Sequence, residues 1–299
     1  MKKSVKTTLI ILLVVLLIAL AAVALYFVIR QKDVDGTAKD WLELPSCVGN
    51  TPGRYVVTHT ARMGGRVQRN YTMLYDEATY TALWVAYPLC SDHVSSGREE
   101  TWGYDPKIPS KFQTSVYRGY GVSEPTRNYP NNFYARGHQI PNADRGGVPQ
   151  MQAQTYYSSN MTPQIQNGFN GGIWAKLEAA VRNEIPAKDT LYVVTGAAFG
   201  REGEQPQVKK IRNKNDSKML PVPNFYWKAL LKVTRHEDEV VEAKTIGFWL
   251  PHDDLKGRSY DDYVVSVDQI ERWTGLDLFP QLPDSIENVA ESFTSWASF

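Results

Sequence analysis

Residues 9–29 form an unbroken apolar run of 21 positions with neither a charge nor a proline. At about 1.5 Å per residue such a helix spans a hydrocarbon core of roughly 30 Å, so one N-terminal transmembrane helix is expected. Residues 31–39 are polar and poor in large side chains, which reads as a tether, and apolar patterning resumes near Trp41. Three segments rich in β-branched and aromatic residues, 54–59, 70–75 and 82–87, predict an antiparallel meander, with Gly64-Gly65 as its first turn. Residues 91–135 carry Ser, Gly, Pro, Asn and charge, and predict a long irregular loop with a functional or mobile character. Ile173, Trp174, Leu177 and Val181 then recur at helical spacing, predicting a helix from Asn170 to Glu184 that Pro186 stops. Residues 190–196 read as a central strand, 226–233 and 243–250 as further strands, and 266–274 as a short helix ended by Gly275.

This order of elements predicts an α+β fold: a central, mostly antiparallel sheet with helices on its faces and an active site where strand, loop and helix meet. The predicted divisions are a membrane anchor at 1–30, a linker at 31–40 and one globular domain at 41–299. With 42% hydrophobic and 12% aromatic residues the chain can bury a large core, and it carries no internal repeat.

Lys2, Lys3 and Lys6 precede the apolar run, and a basic flank stays cytoplasmic, so the topology is expected to be single-pass, N-in and C-out, with the domain extracytoplasmic. Ala22 and Ala24 allow the alternative of a cleaved signal peptide and a secreted domain. The apolar stretch continuing through residues 25–29 favours a retained anchor. Without Lys2, Lys3, Lys6 and Arg30 the outer part holds 29 basic against 32 acidic residues, which excludes a polyanion-packaging protein and leaves room only for a local basic cleft. Between Gly200 and Pro221, Arg201, Lys209, Lys210, Arg212 and Lys214 could touch such a ligand, although a solvated loop is the commoner meaning of this pattern. Cys47 and Cys90 show no metal-binding spacing; outside the cytoplasm they could form one disulfide, and two separate buried thiols remain the alternative.

Hydrolysis of a phosphodiester needs a base for water, positive charge for the phosphoryl oxygens and stabilisation of the leaving oxygen. Among five histidines, His138 stands out because it follows Arg136, a phosphate clamp by chemistry, and Gly137, which permits tight backbone geometry. On the predicted helix Glu178 and Arg182 sit one turn apart, able to face the same cleft as Asn170. In the bland reading Asn170 is an N-cap and Glu178 and Arg182 form a surface ion pair.

The strings Trp84-Val85-Ala86-Tyr87, Arg136-Gly137-His138-Gln139-Ile140-Pro141 with Asp144, Ser159-Asn160-Met161-Thr162-Pro163-Gln164 and Phe169-Asn170 through Glu178 occur in that order. In them the chain resembles the DNA/RNA non-specific endonuclease family of the ββα-metal (His-Me finger) superfamily, which includes the endonuclease G type, over about residues 55–283. The resemblance implies a ββα-metal active site with His138 as general base, Asn170 as the direct ligand of a hydrated Mg²⁺ (or Mn²⁺), and Glu178 holding the ion's water shell. It further implies Arg136 and Arg182 on the phosphoryl group, Asn160 supporting the site, DNA and RNA as substrates, and a homodimer as in some relatives. The chain departs from the pattern at Ala135, where the family usually carries Asp, and at Glu100, where an arginine is expected and Arg98 is offset by two. A nucleic-acid-binding or uptake protein with weakened catalysis, or a phosphodiesterase for smaller substrates, are the competing readings.

Overall fold

The computed structural model describes residues 41–46, 51–63, 65–98, 100–120 and 133–299. Its strands are β1 (Arg54–Met63), β2 (Arg66–Asp76), β3 (Thr81–Leu89), β4 (Tyr134–His138), β5 (Met161–Ile165), β6 (Leu191–Ala198), β7 (Lys210–Arg212), β8 (Met219–Pro221), β9 (Phe225–His236), β10 (Glu239–Pro251) and β11 (Val264–Val265). Four α-helices accompany them among the described residues: α1 (Pro149–Gln154), α2 (Ala175–Asn183), α3 (Val267–Thr274) and α4 (Asp284–Ala290).

β1, β2 and β3 make the expected meander, and Gly65, at φ +83°, takes the left-handed conformation its first turn requires. The large sheet runs β1-β2-β3-β6-β9-β10-β11, with every neighbouring pair antiparallel. Successive side chains alternate between its faces. β3 sends Val85 and Tyr87 to one core and Trp84 and Ala86 to the other; β9 separates Tyr226 and Leu230 from Trp227, Ala229 and Leu231 in the same way. Both faces are covered, which is why 190–196 and 226–233 read as nearly continuous apolar runs. The result is a mixed α/β architecture around a large antiparallel sheet.

One face packs against Phe169, Trp174, Leu177 and Val181, and the other against Val267 and Ile270 of α3 with Leu278 and Phe279. α3 keeps its predicted ends: Ser266 Oγ accepts a hydrogen bond from Gln269 N at 3.1 Å, and Gly275 closes the helix at φ +69°. At the start of the described chain, the Arg69 guanidinium lies 4.5 Å over the Trp41 ring and pairs with Glu43, fastening this segment to β2.

Two expectations are corrected. β4 begins at Tyr134, within the stretch predicted to be irregular; it is short and polar, and it becomes a strand because β5 supplies its ladder, with His138 opposite Met161. Asn170 does not open a regular helix. Gln166–Trp174 is a wide, kinked helical turn broken at Asn167, Gly168 and Gly172, and α2 starts only at Ala175. The glycines are the cause: Gly168 has φ +83°, and a Cβ there would lie 1.8 Å from Asp254 Oδ1.

The expected anchor at 9–29 and the tether lie outside the described residues, among which no helix is long and apolar enough to cross a membrane. Cys47 also lies outside them; Cys90 is a free thiol 3.4 Å from Thr190 Oγ1.

Candidate active site

β4, β5 and α2 form a ββα unit on the face of the sheet that carries Tyr87 and Tyr226. Gly137 is fixed by close approach: a Cβ at this position would lie 2.2 Å from Gln164 Cδ on β5. Asn160, fully buried, accepts from Ile140 N at 3.0 Å and donates to the carbonyls of Ile140 (3.1 Å) and Thr155 (2.8 Å). It braces the turn that follows His138 and does not face the cleft.

His138 ends β4. Its ring meets Tyr156 edge-on at 5.3 Å and lies 5.9 Å from Trp102. Burial, reinforced by the charges of Arg98 and Arg136, pushes the imidazole down to about 3, against a smaller opposite effect from a hydrogen bond to the Arg136 backbone. Nε2 is shielded and has no hydrogen-bond partner, so the backbone bond is made through Nδ1 and Nε2 is the acceptor. A neutral imidazole with an unengaged acceptor is the form a general base requires. An unpaired buried acceptor costs free energy, on the order of 1–3 kcal/mol, and such a cost commonly marks a functional group.

Asn170 donates from Nδ2 to Gln166 Oε1 at 3.0 Å, which turns the amide so that its oxygen is the atom left for another partner. Glu178 lines the same cleft from α2. Burial pushes its carboxyl up, opposed first by the positive charge of Lys228 and then raised again by Asp144. Arg182 does not pair with Glu178, as the bland reading of the helix expects. It donates to Asp144 Oδ1 at 2.9 Å, while Tyr87 Oη donates to Asp144 Oδ2 at 2.9 Å. Asp144 is therefore committed to Arg182 and Tyr87, and in place of the usual aspartate Ala135 presents only a methyl group to the cleft.

The cleft has a volume of about 810 Å³ and brings His138, Asn170, Glu178 and Arg136 onto one wall system, with Arg98, Arg118 and Lys214 as further positive groups. Arg136 is held flat over Trp102, 3.8 Å from the ring centre. Trp102 Nε1 donates to Glu100 Oε2 at 2.6 Å, and Arg98 pairs with Glu100 Oε1 at 2.9 Å. Glu100 thus occupies the predicted arginine position while orienting an arginine two residues earlier. Three groups here had little signal in the sequence. Arg118 lies in the irregular stretch, Lys214 belongs to the charged connector, and Lys228 sits among the buried apolar residues of β9. That last anomaly was visible: a charge inside 226–233 has to be paired if the strand is central.

The chain is 29% identical to a nuclease of Serratia marcescens over 226 residues, 74% of this chain and 77% of that protein. It is 26% identical to the mitochondrial nuclease EXOG of Danio rerio over 274 residues, covering 88% and 71% of the two chains. A chain of the EndoG/EndoGI crystal structure superposes with a TM-score of 0.58 at 21% identity, over 77% of this chain and 89% of that one, and so shares the fold. The family model for DNA/RNA non-specific endonucleases matches residues 53–285. With that match spanning the meander, the ββα unit and α3, the chain belongs to the DNA/RNA non-specific endonuclease family.

Proposed function

We propose that this chain is a Mg²⁺-dependent endonuclease that hydrolyses DNA and RNA with little sequence preference. One observation carries the reading: neutral His138, whose Nε2 is unengaged, lines the same basic cleft as Asn170 and Glu178. Those donors suit a hard divalent cation that keeps most of its water, Mg²⁺ first and Mn²⁺ as a substitute, since one amide oxygen and one carboxylate make no closed cage. A cation held there would supply positive charge to a phosphoryl oxygen and to the departing 3′ oxygen.

The protein's own groups do the rest. His138 accepts the proton of the attacking water at Nε2. Arg136, held flat by Trp102, and Arg98 neutralise charge growing on the phosphoryl oxygens. Arg182 acts through Asp144 and Glu178 to set the electrostatics of the cleft. The products are a 5′-phosphate and a 3′-hydroxyl. The catalytic domain spans residues 41–299 and is held outside the cytoplasm by the apolar run at 9–29, with 31–40 as tether.

Incubating the full chain with plasmid DNA and with RNA, in Mg²⁺ and in EDTA, tests the reading. Cleavage of both that EDTA stops, lost in His138→Ala and Asn170→Ala, supports it. Intact substrate with retained DNA binding would instead favour a non-catalytic binding protein. Cleavage confined to short oligonucleotides would favour a phosphodiesterase. The anchor is tested by protease treatment of intact cells: the domain should be digested while the N-terminus stays protected.

A further inference from the structure

We propose that the domain carries a second cation site, suited to Ca²⁺, where α3 meets the residue that follows α4. Asp268 and Glu271 on α3 and Glu291 just after α4 each offer a carboxylate oxygen, and these oxygens lie within 4.8 Å of one another. Ca²⁺ takes oxygen ligands at roughly 2.3–2.6 Å, so donors around one ion are separated by at most about 5 Å. Mg²⁺ binds at roughly 2.0–2.1 Å and favours fewer protein ligands. With neither Cys nor His in the set, a transition metal is disfavoured.

A cluster of acids alone would not carry this, because such clusters are often solvated and empty. Glu291 is the second observation. It is only 6% exposed, and its Oε1 is shielded without any hydrogen-bond partner. Glu287, on α4, has an Oε1 in the same condition. The charges acting most strongly on Glu291 are all carboxylates: Glu271, Glu287, Asp268 and Asp277. Among the described residues none of these five acids is paired with a basic side chain. A buried anion without a partner is costly, and nature satisfies it with a proton or a cation.

The geometry favours the cation. Glu271 Oε1 accepts from Leu278 N at 2.7 Å, which fixes this carboxylate and leaves its second oxygen available. Asp268 N donates to the Glu291 carbonyl at 3.3 Å, so the two elements are already in register. Thr245 Oγ1 donates to the Ala290 carbonyl at 2.7 Å and holds the end of α4 against β10. An ion here bridges α3 to the residue that follows α4, and its role is structural.

The test uses the full chain in a mild detergent with Mg²⁺ held at saturation. Calorimetric titration with CaCl₂ should show one bound Ca²⁺, and the thermal midpoint should rise with it. Glu291→Gln and Asp268→Asn should each weaken that binding by roughly tenfold or more. In EDTA both variants should be at least as stable as the parent, since each removes one of several repelling charges; Asp268 is half-buried, so its variant carries the test if the Glu291 variant does not fold. Asn170→Ala should keep the Ca²⁺ response, which separates this site from the active site. A midpoint indifferent to Ca²⁺, or binding unchanged in both variants, would overturn the proposal and would mean that protons balance the cluster.

Discussion

Lys228, in the buried first half of β9, is the charge that acts most strongly on the Glu178 carboxylate of α2. Its ammonium donates to Thr195 Oγ1 at 3.2 Å and sits 4.6 Å from the centre of the Trp174 ring. Burial pushes the Glu178 carboxyl up and the Lys228 ammonium down, and each partner holds the other charged. Asp144 and Arg182 complete the group, two acids and two bases between sheet and helix. The Glu178 carboxylate is thus set from below, by a residue that does not line the cleft.

Lys228→Met should therefore act through Glu178. His138 is held neutral down to about 3, so in the proposed mechanism a loss of rate at mildly acidic pH belongs to Glu178, which has to be ionised there. Removing the ammonium raises the Glu178 carboxyl further, and the acidic limb of the pH–rate profile should move to higher pH. Each unit of movement lowers the rate on that limb about tenfold. A variant that loses rate equally at all pH values would show a structural role only.

Arg182 offers a separate test of the same group. Arg182→Ala leaves Asp144, which is 1% exposed, with Tyr87 as its remaining partner. Breaking a buried pair on one side costs about 3–5 kcal/mol, and the figure is smaller here because the arginine is partly solvated. Adding Asp144→Asn should recover part of the loss. Denaturant unfolding of the two single variants and the double variant gives the coupling; purely additive losses would contradict the pairing.

The parts of this site that the sequence exposes are those set by local chemistry. Arg136-Gly137-His138 can be read because a glycine between two functional side chains is unusual, and the structure gives its cause in Gln164. Helical spacing places Leu177 and Val181 on the core side, with Glu178 beside them at the cleft. Runs of β-branched and aromatic residues likewise identify β3, β6 and β9 as strands of the sheet. What could not be read depends on distant partners. β4 is a strand only because of β5, and the turn holding Asn170 is set by Gly168 against Asp254. Asp144 does not replace the aspartate missing at Ala135, because Tyr87 and Arg182 occupy it, and neither pairing has a sequence signature.

His252 predicts acid sensitivity. Its Nδ1 donates to the Pro223 carbonyl at 2.8 Å, and its Nε2 accepts from Ile165 N at 2.8 Å, so the neutral ring ties β5 to the sheet. Burial pushes it down to about 4 from an ordinary 6.5. The unfolded chain then takes up this proton first: the stabilisation is intact above 6.5 and is lost as pH falls from 6.5 towards 4. Thermal midpoints measured across that range should fall steeply in the parent and less steeply in His252→Gln. A residual slope is expected, because burial holds His93 down to about 3 in the same sense.

Arg98 should matter for rate and little for stability. Its side chain is 58% exposed, and its pair with Glu100 is a surface ion pair worth less than about 1 kcal/mol. Arg98→Ala should leave the thermal midpoint nearly unchanged while lowering kcat about tenfold to a hundredfold, as for a lost transition-state contact. Since its charge helps to hold His138 neutral, the variant should also raise the imidazole. An unchanged kcat would remove Arg98 from the phosphoryl site.

Gly137→Ala probes the backbone that carries the proposed base, His138. A Cβ would fall 2.2 Å from Gln164 Cδ, and Gln164 is fully buried, so it cannot swing into solvent. Overpacking of this kind costs about 1–3 kcal/mol, and displacement of β4 from β5 would move His138 with it. Gln164 is the half of the contact that can be changed, because its amide nitrogen and oxygen are both shielded without hydrogen-bond partners. Truncating it to alanine therefore breaks no hydrogen bond and opens the space that the new methyl group needs. The double variant Gly137→Ala/Gln164→Ala should regain both stability and cleavage relative to Gly137→Ala alone. If stability returns and cleavage does not, glycine is needed at 137 for the approach of substrate as well as for the approach of β5.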